Sequence, residues 1–385
     1  MTMQWKYTLS EPVLGEEELK AVTDCITSGW LSMGPRTKAF EEQYAALIGA
    51  EHAIAVSNGT AALHLALAAV GVGSDPDDEV IQPSINFVAA ANMTKALGAK
   101  PIFADIVSVN EPTLSPSDLE AKITDRTKAV VVMHFGGYAA RMPEIMEICR
   151  MRNIAVVEDA CHAPAHYDAA TARSLGTIGT VGCFSFFSNK NMTTAEGGMV
   201  ATDDDDIAAK IRNMRSHGMT TLSWDRHHGR PSTYDVMAHG YNYRVDDLRS
   251  ALGLAQLAKL PSINDKRRSL AATYASEIER QLGNRAHYIF GDRAKDGTAH
   301  LAGIVIDSDL RDGVRTELAN LGVQSSLHYP PIHLFSAFEG SCPDGLINSE
   351  QFSRGMITLP MHSGLDEAAV QGIVALLAEA FDRNV

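Results

Sequence analysis

Short apolar runs alternate with amphipathic helical stretches through the first two hundred residues of the chain. The runs AVVVM (129–133), IAVV (154–157) and GMVA (198–201) are apolar throughout instead of alternating with polar residues. Such a strand is buried on both faces, because a strand with one wet face would alternate. With helices between the strands, the pattern predicts an α/β fold built on a largely parallel sheet that is covered on both sides.

The pattern changes from about Val245 onward. Long helical stretches follow, which we expect Pro261 to interrupt, and then the strands LAGIVI and MITLPM with a helix after each. A chain of 385 residues is long enough for two domains. We therefore predict a large α/β domain in residues 1–250, with an N-terminal helix and loop, and a helical connector with a smaller α+β domain in residues 251–385.

Composition excludes several classes of function. The formal net charge of −14 argues against binding to a nucleic-acid backbone. No stretch approaches the ~18 apolar residues that span a bilayer, and the N-terminus has no apolar signal region. The five cysteines are scattered without a CxxC pair, which disfavours a zinc ribbon or a disulfide framework. The sequence predicts a cytoplasmic protein with no nucleic-acid partner, no membrane partner and no metal.

Polar residues that follow the apolar runs are candidates for a binding site, since open α/β sheets bind ligands beyond the carboxyl ends of their strands. In AVSNGTAALHL a strand leads into Gly59 and Thr60, where a helix begins. The amides and dipole of a helix N-terminus favour a phosphate, and Gly59 allows close backbone approach. The competing interpretation is an ordinary turn whose polar residues cap the helix.

Glu158 and Asp159 directly follow the apolar strand in IAVVEDACHA. A carboxylate there can be a metal ligand, a catalytic base or the partner of a cationic ring nitrogen. His162 and His166 lie nearby, although their spacing matches no metal motif. A carboxylate that merely caps the next segment is an equally good interpretation of this stretch alone.

Lys190 stands in the stretch FSFFSNKNMTTAEGG, between an aromatic run that contains Ser185 and a turn that ends in Gly197 and Gly198. Lysine is costly to bury, so a solvated loop is the ordinary explanation. The functional alternative is a desolvated amine whose pKa falls below its usual ~10.4, able to form a Schiff base. A further aromatic stretch, GYNYRVDDLRSALG, surrounds Asn242 and is otherwise explained as a packed helix entry.

These features gain meaning from their order along the chain. A phosphate-suited turn, the aromatic Phe87 after the next strand, a carboxylate at Asp159 and an amine at Lys190 match what pyridoxal 5′-phosphate (PLP) requires. Its phosphate needs amides and hydroxyls, its ring needs an apolar face, its nitrogen needs a carboxylate and its aldehyde needs a lysine.

With these features in this order, the chain resembles the DegT/DnrJ/EryC1/StrS family of sugar aminotransferases, which are PLP enzymes of fold type I. The resemblance implies a large domain, with a mostly parallel mixed sheet between helices, and a smaller C-terminal α+β domain. It covers nearly the whole chain through ordered motifs, which include SGWLSMGP, SNGTAALHLAL, NFVAAAN, VVEDACHA, FSFFSNKNMTTAEGGMV, GYNYRVDDLRSALGLAQL, LHYPPIH and ITLPMH.

The resemblance implies roles for five residues at the cofactor. Lys190 corresponds to the lysine that forms the Schiff base, and Asp159 corresponds to the partner of the pyridine nitrogen. Gly59, Thr60 and Ser185 correspond to ligands of the phosphate. Lys190 and Asp159 are thus the implied catalytic residues.

Other positions are implied to complete the site. Phe87 would stack on the ring, and His162 stands where the family often has glutamine near the ring hydroxyl. Asn242 would reach the cofactor phosphate of a neighbouring subunit, which implies a homodimer with shared active sites. Residues implied to line the sugar-nucleotide pocket are Ser32 in the loop 28–34, His328 and Tyr329.

Three departures from the family pattern are visible. His162 replaces glutamine, Ala195 stands where glycine is common in TTGEGG, and GVGSDPDDEV is longer than the usual GDEV. We expect a slightly different turn at Ala195. None of the three removes a catalytic group.

The implied reaction is transamination in two halves, with pyridoxamine 5′-phosphate between them. Glutamate is the expected amino donor, and the expected acceptor is C4 of a nucleotide-linked 4-keto-6-deoxyhexose. Alternatives are a C3 sugar aminotransferase, a cyclitol aminotransferase of the scyllo-inosose type and a PLP-dependent sugar dehydratase. The dehydratase relatives carry histidine at the lysine position, so Lys190 counts against that alternative. A non-catalytic sensor is a further alternative, although no DNA-binding segment is appended.

Overall fold

The computed structural model describes residues 5–220, 233–342 and 344–384, and its main element is a seven-stranded sheet. The strands of this sheet are β1 His52–Val56, β2 Glu79–Pro83, β3 Lys100–Ala104, β4 Thr127–Met133, β5 Ala155–Asp159, β8 Val181–Ser185 and β9 Gly198–Thr202. Their order across the sheet is β1, β9, β8, β5, β4, β2, β3. A separate hairpin, β6 Tyr167–Asp168 with β7 Arg173–Ser174, lies between β5 and β8 in the chain.

The predicted largely parallel sheet is confirmed. The strands β3, β2, β4, β5 and β8 are paired in parallel, and β9 is antiparallel to both β8 and β1. All strands except β9 therefore point the same way. Their carboxyl ends meet at one edge of the sheet, where an open α/β sheet binds its ligand.

Helices cover both faces of this sheet. The helices of this part are α1 Glu16–Thr27, α2 Pro35–Ile48, α3 Gly59–Ala69, α4 Ala89–Ala96, α5 Pro116–Lys122, α6 Met142–Met151 and α7 Asp205–Arg215. Neighbouring residues of β4 face opposite sides: Val131 joins the core that contains α3, α4 and α7, and Val130 joins the core that contains α5 and α6. This two-sided burial explains why the strands are apolar throughout.

A second, three-stranded antiparallel sheet follows in the C-terminal part of the chain. Its core also includes side chains of the long helix α8, such as Leu270 and Tyr274. The elements of this part are α8 Asp247–Leu282, β10 Ala286–Tyr288, β11 Ala302–Ile306, α9 Arg311–Asn320, α10 Ile347–Gly355, β12 Met356–Leu359 and α11 Glu367–Arg383. Short 3-10 turns lie at Phe135–Gly137, Gly283–Arg285, Gly291–Arg293, Ile332–Leu334 and Ser336–Phe338. The domain boundary at residue 250 stays a prediction.

The expected interruption at Pro261 is wrong, because α8 is one helix of 36 residues with this proline inside it. Proline removes one backbone hydrogen bond, but Leu257, Leu260 and Ile263 are all buried on either side of it. Packing of these side chains holds the helix together across the missing bond. Tertiary burial thus outweighs the local preference of proline to end a helix.

A smaller correction concerns the start of α5. The stretch SPSDLEAKI predicts helix caps at Ser115 and Ser117; Ser115 caps this helix by accepting a hydrogen bond from the backbone N–H of Asp118, whereas Ser117 lies inside the helix. The helices α7 and α10 and the strand β10 were not expected from the sequence.

A buried carboxylate fixes the loop between β5 and β8. Glu158 is fully buried and accepts a hydrogen bond of 2.8 Å from Nε2 of His134. Its carboxylate also accepts hydrogen bonds of 2.6 to 2.7 Å from the backbone N–H groups of Gly176, Ile178 and Gly179. The nitrogen Nδ1 of His134 accepts from the N–H of Ala140, which leaves the proton on Nε2. This network holds β5 in register beside the site.

Candidate active site

A cavity of about 440 Å³ opens at the carboxyl ends of the parallel strands. Of the eleven residues predicted to form the site, the nine that line this cavity are Gly59, Thr60, Phe87, Asp159, His162, Ser185, Lys190, His328 and Tyr329. They come from six different segments of the chain. The aligned strand ends of the seven-stranded sheet bring together the residues between 59 and 190, and His328 and Tyr329 join them from the C-terminal part of the chain.

The N-terminus of α3 forms one wall of the cavity. The Asn58 side chain accepts a hydrogen bond of 2.8 Å from the N–H of Ala61, so it caps the helix and orients its first turn. Gly59 packs so closely on β8 that a Cβ atom there would lie 2.9 Å from Cβ of Ser185. Only glycine permits this approach, which places free amides and the hydroxyls of Thr60 and Ser185 around one space suited to an anion.

The aromatic run around β8 explains how Ser185 is aimed. Phe184 and Phe186 are fully buried and pack against Tyr44 of α2, with ring centroids 5.2 and 5.4 Å from that of Tyr44. Because side chains alternate along a strand, Ser185 points to the opposite side, toward the cavity. The aromatic cluster therefore anchors the segment that leads to Lys190.

Lys190 lies at the cavity wall with its side chain half-buried. Its backbone N–H donates to the carbonyl of Phe187 at 2.9 Å, and its Nζ lies 3.4 Å from Nε2 of His300. Burial lowers the pKa of Lys190, against the opposing effect of Cys161 and Asp159. A lowered pKa increases the fraction of neutral amine, which is the form that attacks a carbonyl carbon.

Asp159 ends β5 and is only 3% exposed. One carboxylate oxygen accepts from Nδ2 of Asn86 at 3.3 Å, and the other accepts from the N–H of Cys161 at 3.3 Å. These two donors hold the carboxylate in a fixed orientation inside the cavity. It can balance a cationic group of a bound molecule.

His162 and Tyr329 form a hydrogen-bonded pair. Nδ1 of His162 accepts from the N–H of Gly136 at 3.3 Å, so Nε2 carries the proton and donates to the Tyr329 hydroxyl oxygen at 3.1 Å. Burial, and next Lys190, lower the pKa of His162 well below its usual range, which keeps the ring neutral. The phenol keeps its own proton, which it can donate to a bound molecule.

Two further side chains shape the entrance. Phe87 is 55% exposed, unusually high for phenylalanine, and its ring lies 6.1 Å from that of Tyr329. An exposed aromatic ring at a cavity is a surface on which a flat ring can stack. His328 is linked through Nδ1 to the hydroxyl of Thr358 at 2.8 Å, and burial lowers its pKa to about 4.

Ser32 and Asn242 do not line this cavity within one chain. Ser32 is exposed in the loop before α2. Asn242 is also exposed, and its backbone forms an isolated bridge with Ser216. The roles expected of these two residues stay predictions.

Sequence reasoning missed three residues that act on the site. Asn86 and Cys161 orient Asp159, and His300 contacts Lys190. Asn86 comes three residues after the end of β2, so the rule about polar residues at strand ends would have found it. His300 precedes a strand in the C-terminal part, where that rule does not apply.

Comparison with known proteins identifies the family and the architecture. The model of the DegT/DnrJ/EryC1/StrS aminotransferase family matches residues 12–378. The chain belongs to the DegT/DnrJ/EryC1/StrS aminotransferase family. It is a PLP-dependent sugar aminotransferase, and it has the α/β fold of this family, as the sequence predicted.

Individual relatives support the assignment over nearly the full length. The chain is 36% identical to the spore coat polysaccharide biosynthesis protein SpsC of Bacillus subtilis (strain 168), over 95% of this chain and 94% of the relative. Helicobacter pylori PseC, an aminotransferase involved in the biosynthesis of pseudoaminic acid, superposes with a TM-score of 0.91 at 29% identity, covering 98% of this chain and 99% of PseC. DesI, solved in the presence of its TDP-sugar product, has a TM-score of 0.85 at 26% identity, covering 98% of this chain and 93% of DesI.

The residues of the cavity fit PLP. Because Gly59 has no side chain, the start of α3 packs closely against Ser185, and the hydroxyls of Thr60 and Ser185 line the cavity beside the helix N-terminus, whose amides and dipole favour a phosphate. Asp159, Lys190 and Phe87 offer the carboxylate, the amine and the aromatic face that the pyridine ring and aldehyde require. The chemistry of this donor set thus agrees with the cofactor of the family.

Two negative findings concern the described residues. Within residues 5–220, 233–342 and 344–384, no group of three or more His, Cys, Asp or Glu side chains is placed to hold a metal ion. None of the helices described in those ranges is both long enough and apolar enough to cross a membrane.

Proposed function

We propose that this enzyme transfers the amino group of L-glutamate to a keto sugar carried on a nucleoside diphosphate. The acceptor atom is C4 of a 4-keto-6-deoxyhexose, and the product is a nucleotide-linked amino-dideoxy sugar. The similarity to DesI, which was solved with a TDP-sugar product, supports a nucleotide-linked substrate. The preference for C4 rests on the overall likeness of the sequence to the family members that aminate nucleotide-linked 4-keto-6-deoxyhexoses.

The observation that carries the proposal is the meeting of Lys190 and Asp159 in one cavity, the amine with a lowered pKa and the carboxylate held by two donors. PLP supplies, when bound, an aldehyde carbon that accepts an amino group and a ring that takes up an electron pair. Lys190 would hold the cofactor through its amine and, as a free amine, would move a proton from Cα of the donor amino acid to the former aldehyde carbon, acting as base and then as acid. Asp159 keeps the ring nitrogen protonated through its negative charge.

Other residues bind and orient the reactants in this proposal. The amide of Gly59 and the hydroxyls of Thr60 and Ser185 bind the phosphate. Phe87 packs on the ring. The phenol of Tyr329, oriented by His162, donates its proton to a hydroxyl oxygen of cofactor or sugar, and His328 lines the sugar side of the cavity.

The active enzyme is proposed to be a homodimer that shares its sites. Ser32 and Asn242 are exposed and lie outside the cavity of their own chain, which is the arrangement expected of residues that serve a neighbouring site. Asn242 would bind the phosphate of the cofactor in the partner subunit. The loop around Ser32 would contribute to the partner's sugar pocket.

Absorbance spectroscopy tests the roles of Lys190 and glutamate. The purified chain with PLP is expected to show the yellow band of a lysine-bound cofactor, and L-glutamate is expected to bleach it. Lys190→Ala should lack the band, while Lys128→Ala, a lysine outside the cavity, should keep it. A band that persists in Lys190→Ala contradicts the assigned lysine, and a band that glutamate leaves unchanged contradicts the assigned donor.

A second experiment identifies the acceptor. The enzyme is loaded with pyridoxamine 5′-phosphate and mixed with a panel of keto-sugar nucleotides, and NMR locates the new amino group on the sugar product. Amination at C4 of a 6-deoxyhexose supports the proposal. Amination at C3, amination of a keto cyclitol, or loss of water without amination would each replace it.

Subunit mixing tests the shared site. If Lys190 and Asn242 of one site come from different chains, an equal mixture of Lys190→Ala and Asn242→Ala subunits forms hybrid dimers with one intact site. About a quarter of the wild-type activity should return after random reassociation. If the mixture is no more active than the average of its two components, the sharing is refuted.

A further inference from the structure

The amine of Lys190 faces a histidine that has no role in the proposed reaction. Nζ of Lys190 lies 3.4 Å from Nε2 of His300, which precedes β11 in the C-terminal part of the chain. His300 is 5% exposed and packs on His162, with ring centroids 4.2 Å apart. The contact therefore links the segment that follows β8 to the segment that precedes β11.

A chain of buried amides determines which nitrogen of His300 carries the proton. Backbone carbonyls can only accept, so Nδ2 of Asn264 donates to the carbonyl of Pro164 at 3.0 Å. The Asn264 Oδ1 then accepts from Nδ2 of Asn191 at 2.9 Å, and this same nitrogen donates to the carbonyl of Thr298 at 3.0 Å. Both amides are thereby fixed, and Oδ1 of Asn191 faces Nδ1 of His300 at 3.2 Å.

This arrangement leaves a lone pair pointing at the lysine. The amide oxygen of Asn191 only accepts, so Nδ1 of a neutral His300 carries the proton and Nε2 is bare. Burial, and next the neighbouring His162, lower the pKa of His300 well below its usual range, so the ring stays neutral. A neutral Nε2 toward Lys190 is a hydrogen-bond acceptor.

We propose that His300 is a positioning residue for Lys190: its Nε2 accepts a hydrogen bond from the lysine ammonium and holds the amine at the cavity wall whenever it is not bound to the cofactor. The inference rests on the proposed function in taking Lys190 as the reacting lysine. Hydrogen bonds to a charged donor are about twice as strong as neutral ones. His300 therefore raises the pKa of Lys190 relative to a chain that lacks it, partly offsetting the effect of burial.

Other groups around the amine also influence its protonation and stay constant in the test. Asp159 and Cys161 raise the pKa of Lys190, and Arg267 of α8 lowers it. His162 and His328 also face Lys190, and the pKa of each is lowered chiefly by burial. A change at His300 alone therefore isolates one contribution.

The test measures the amine directly, without turnover. The full-length chain free of cofactor is treated with cyanate over a range of pH, and mass spectrometry follows carbamylation at Lys190 in wild type, His300→Leu and His300→Gln. The pH midpoint of carbamylation at Lys190 should fall by about half to one pH unit in His300→Leu, because the ammonium loses its acceptor. His300→Gln keeps a neutral acceptor and should recover at least half of that shift. Lys38, whose side chain is 78% exposed, serves as the internal control and should not change.

Several results would overturn the inference. A carbamylation midpoint in His300→Leu equal to that of wild type refutes the acceptor role. A midpoint in His300→Gln equal to that of His300→Leu also refutes it. NMR of the imidazole nitrogens in wild type tests the tautomer even if a variant fails to fold: a proton on Nδ1 of His300 is expected, and a proton on Nε2 refutes the proposal. If the midpoint shifts but Lys190→Ala still shows the yellow band, the proposed function fails while the contact stands.

Discussion

The close contact between α3 and β8 makes Gly59→Ala the sharpest test of the phosphate site. The new Cβ would lie 2.9 Å from Cβ of Ser185 and 3.3 Å from Sγ of Cys161. Both neighbours have short side chains on segments fixed by the sheet, so neither can swing away. The first turn of α3 must therefore move outward by a few tenths of an ångström.

The displacement has two energetic consequences. Overpacking of this kind lowers the free energy of unfolding by about 1–3 kcal/mol. It also separates the proposed phosphate ligands on α3 from Ser185. A lost hydrogen bond to a charged group costs about 1.5–3 kcal/mol, so we expect PLP to bind about 10- to 100-fold more weakly.

The assay is a titration of PLP into the cofactor-free chain, followed by absorbance, beside urea unfolding of the same protein. Gly49→Ala is the matched control: Gly49 ends α2 with φ +71°, and among the described residues no atom lies within 4 Å of its added Cβ. Alanine there costs about 1–2 kcal/mol of stability through its left-handed backbone, with no change expected in PLP affinity. Wild-type affinity in Gly59→Ala, or an equal loss in Gly49→Ala, would refute the reasoning.

Three other substitutions test separate parts of the fold by urea unfolding. Glu158→Gln removes the charge that four donors share and should lower the free energy of unfolding by roughly 2–4 kcal/mol; unchanged curves would show that the network is dispensable. Ala195 has φ +65°, a left-handed conformation that strains a residue with a side chain. Ala195→Gly should therefore raise the free energy of unfolding by up to about 1 kcal/mol, and a clear decrease would contradict this. Burial lowers the pKa of His166 from 6.5 to about 4, so the unfolded chain takes up a proton that the folded chain does not, and stability should fall as pH drops from 6.5 toward 4. His166→Leu should flatten that part of the profile, and a profile as steep as wild type would exclude His166 as its source.

The strands were predictable because burial on both faces leaves a local signal. Every residue of β4 from Ala129 to Met133 is buried, so each position had to be apolar. Residues at the ends of these strands could be found by the same reasoning, since parallel strands deliver their carboxyl ends to one edge. Asp159 and Ser185 follow from this rule, and the resemblance to a family then named their roles.

Other features could not be predicted because they depend on contacts between distant segments. Asn191 orients His300 across 109 residues of sequence, and His300 meets Lys190 across 110. No periodicity connects such pairs. The continuity of α8 through Pro261 has the same origin, since the burial that stabilises it comes from partners elsewhere in the chain.

A single buried carboxylate fixes the loop that contains Ser32, one of the two predicted site residues that lie outside the cavity. Asp247, at the start of α8, donates its N–H to the carbonyl of Leu31 and accepts from the N–H of Gly34 and from the N–H and hydroxyl of Thr37. It therefore caps α2 and ties down the loop that contains Ser32, while Asn242 lies just before α8 in sequence. Asp247 thus fixes the loop around Ser32 relative to α8, while Asn242 pairs with Ser216 at the end of α7. If this loop serves a partner's site, its position there depends on the carboxylate of Asp247.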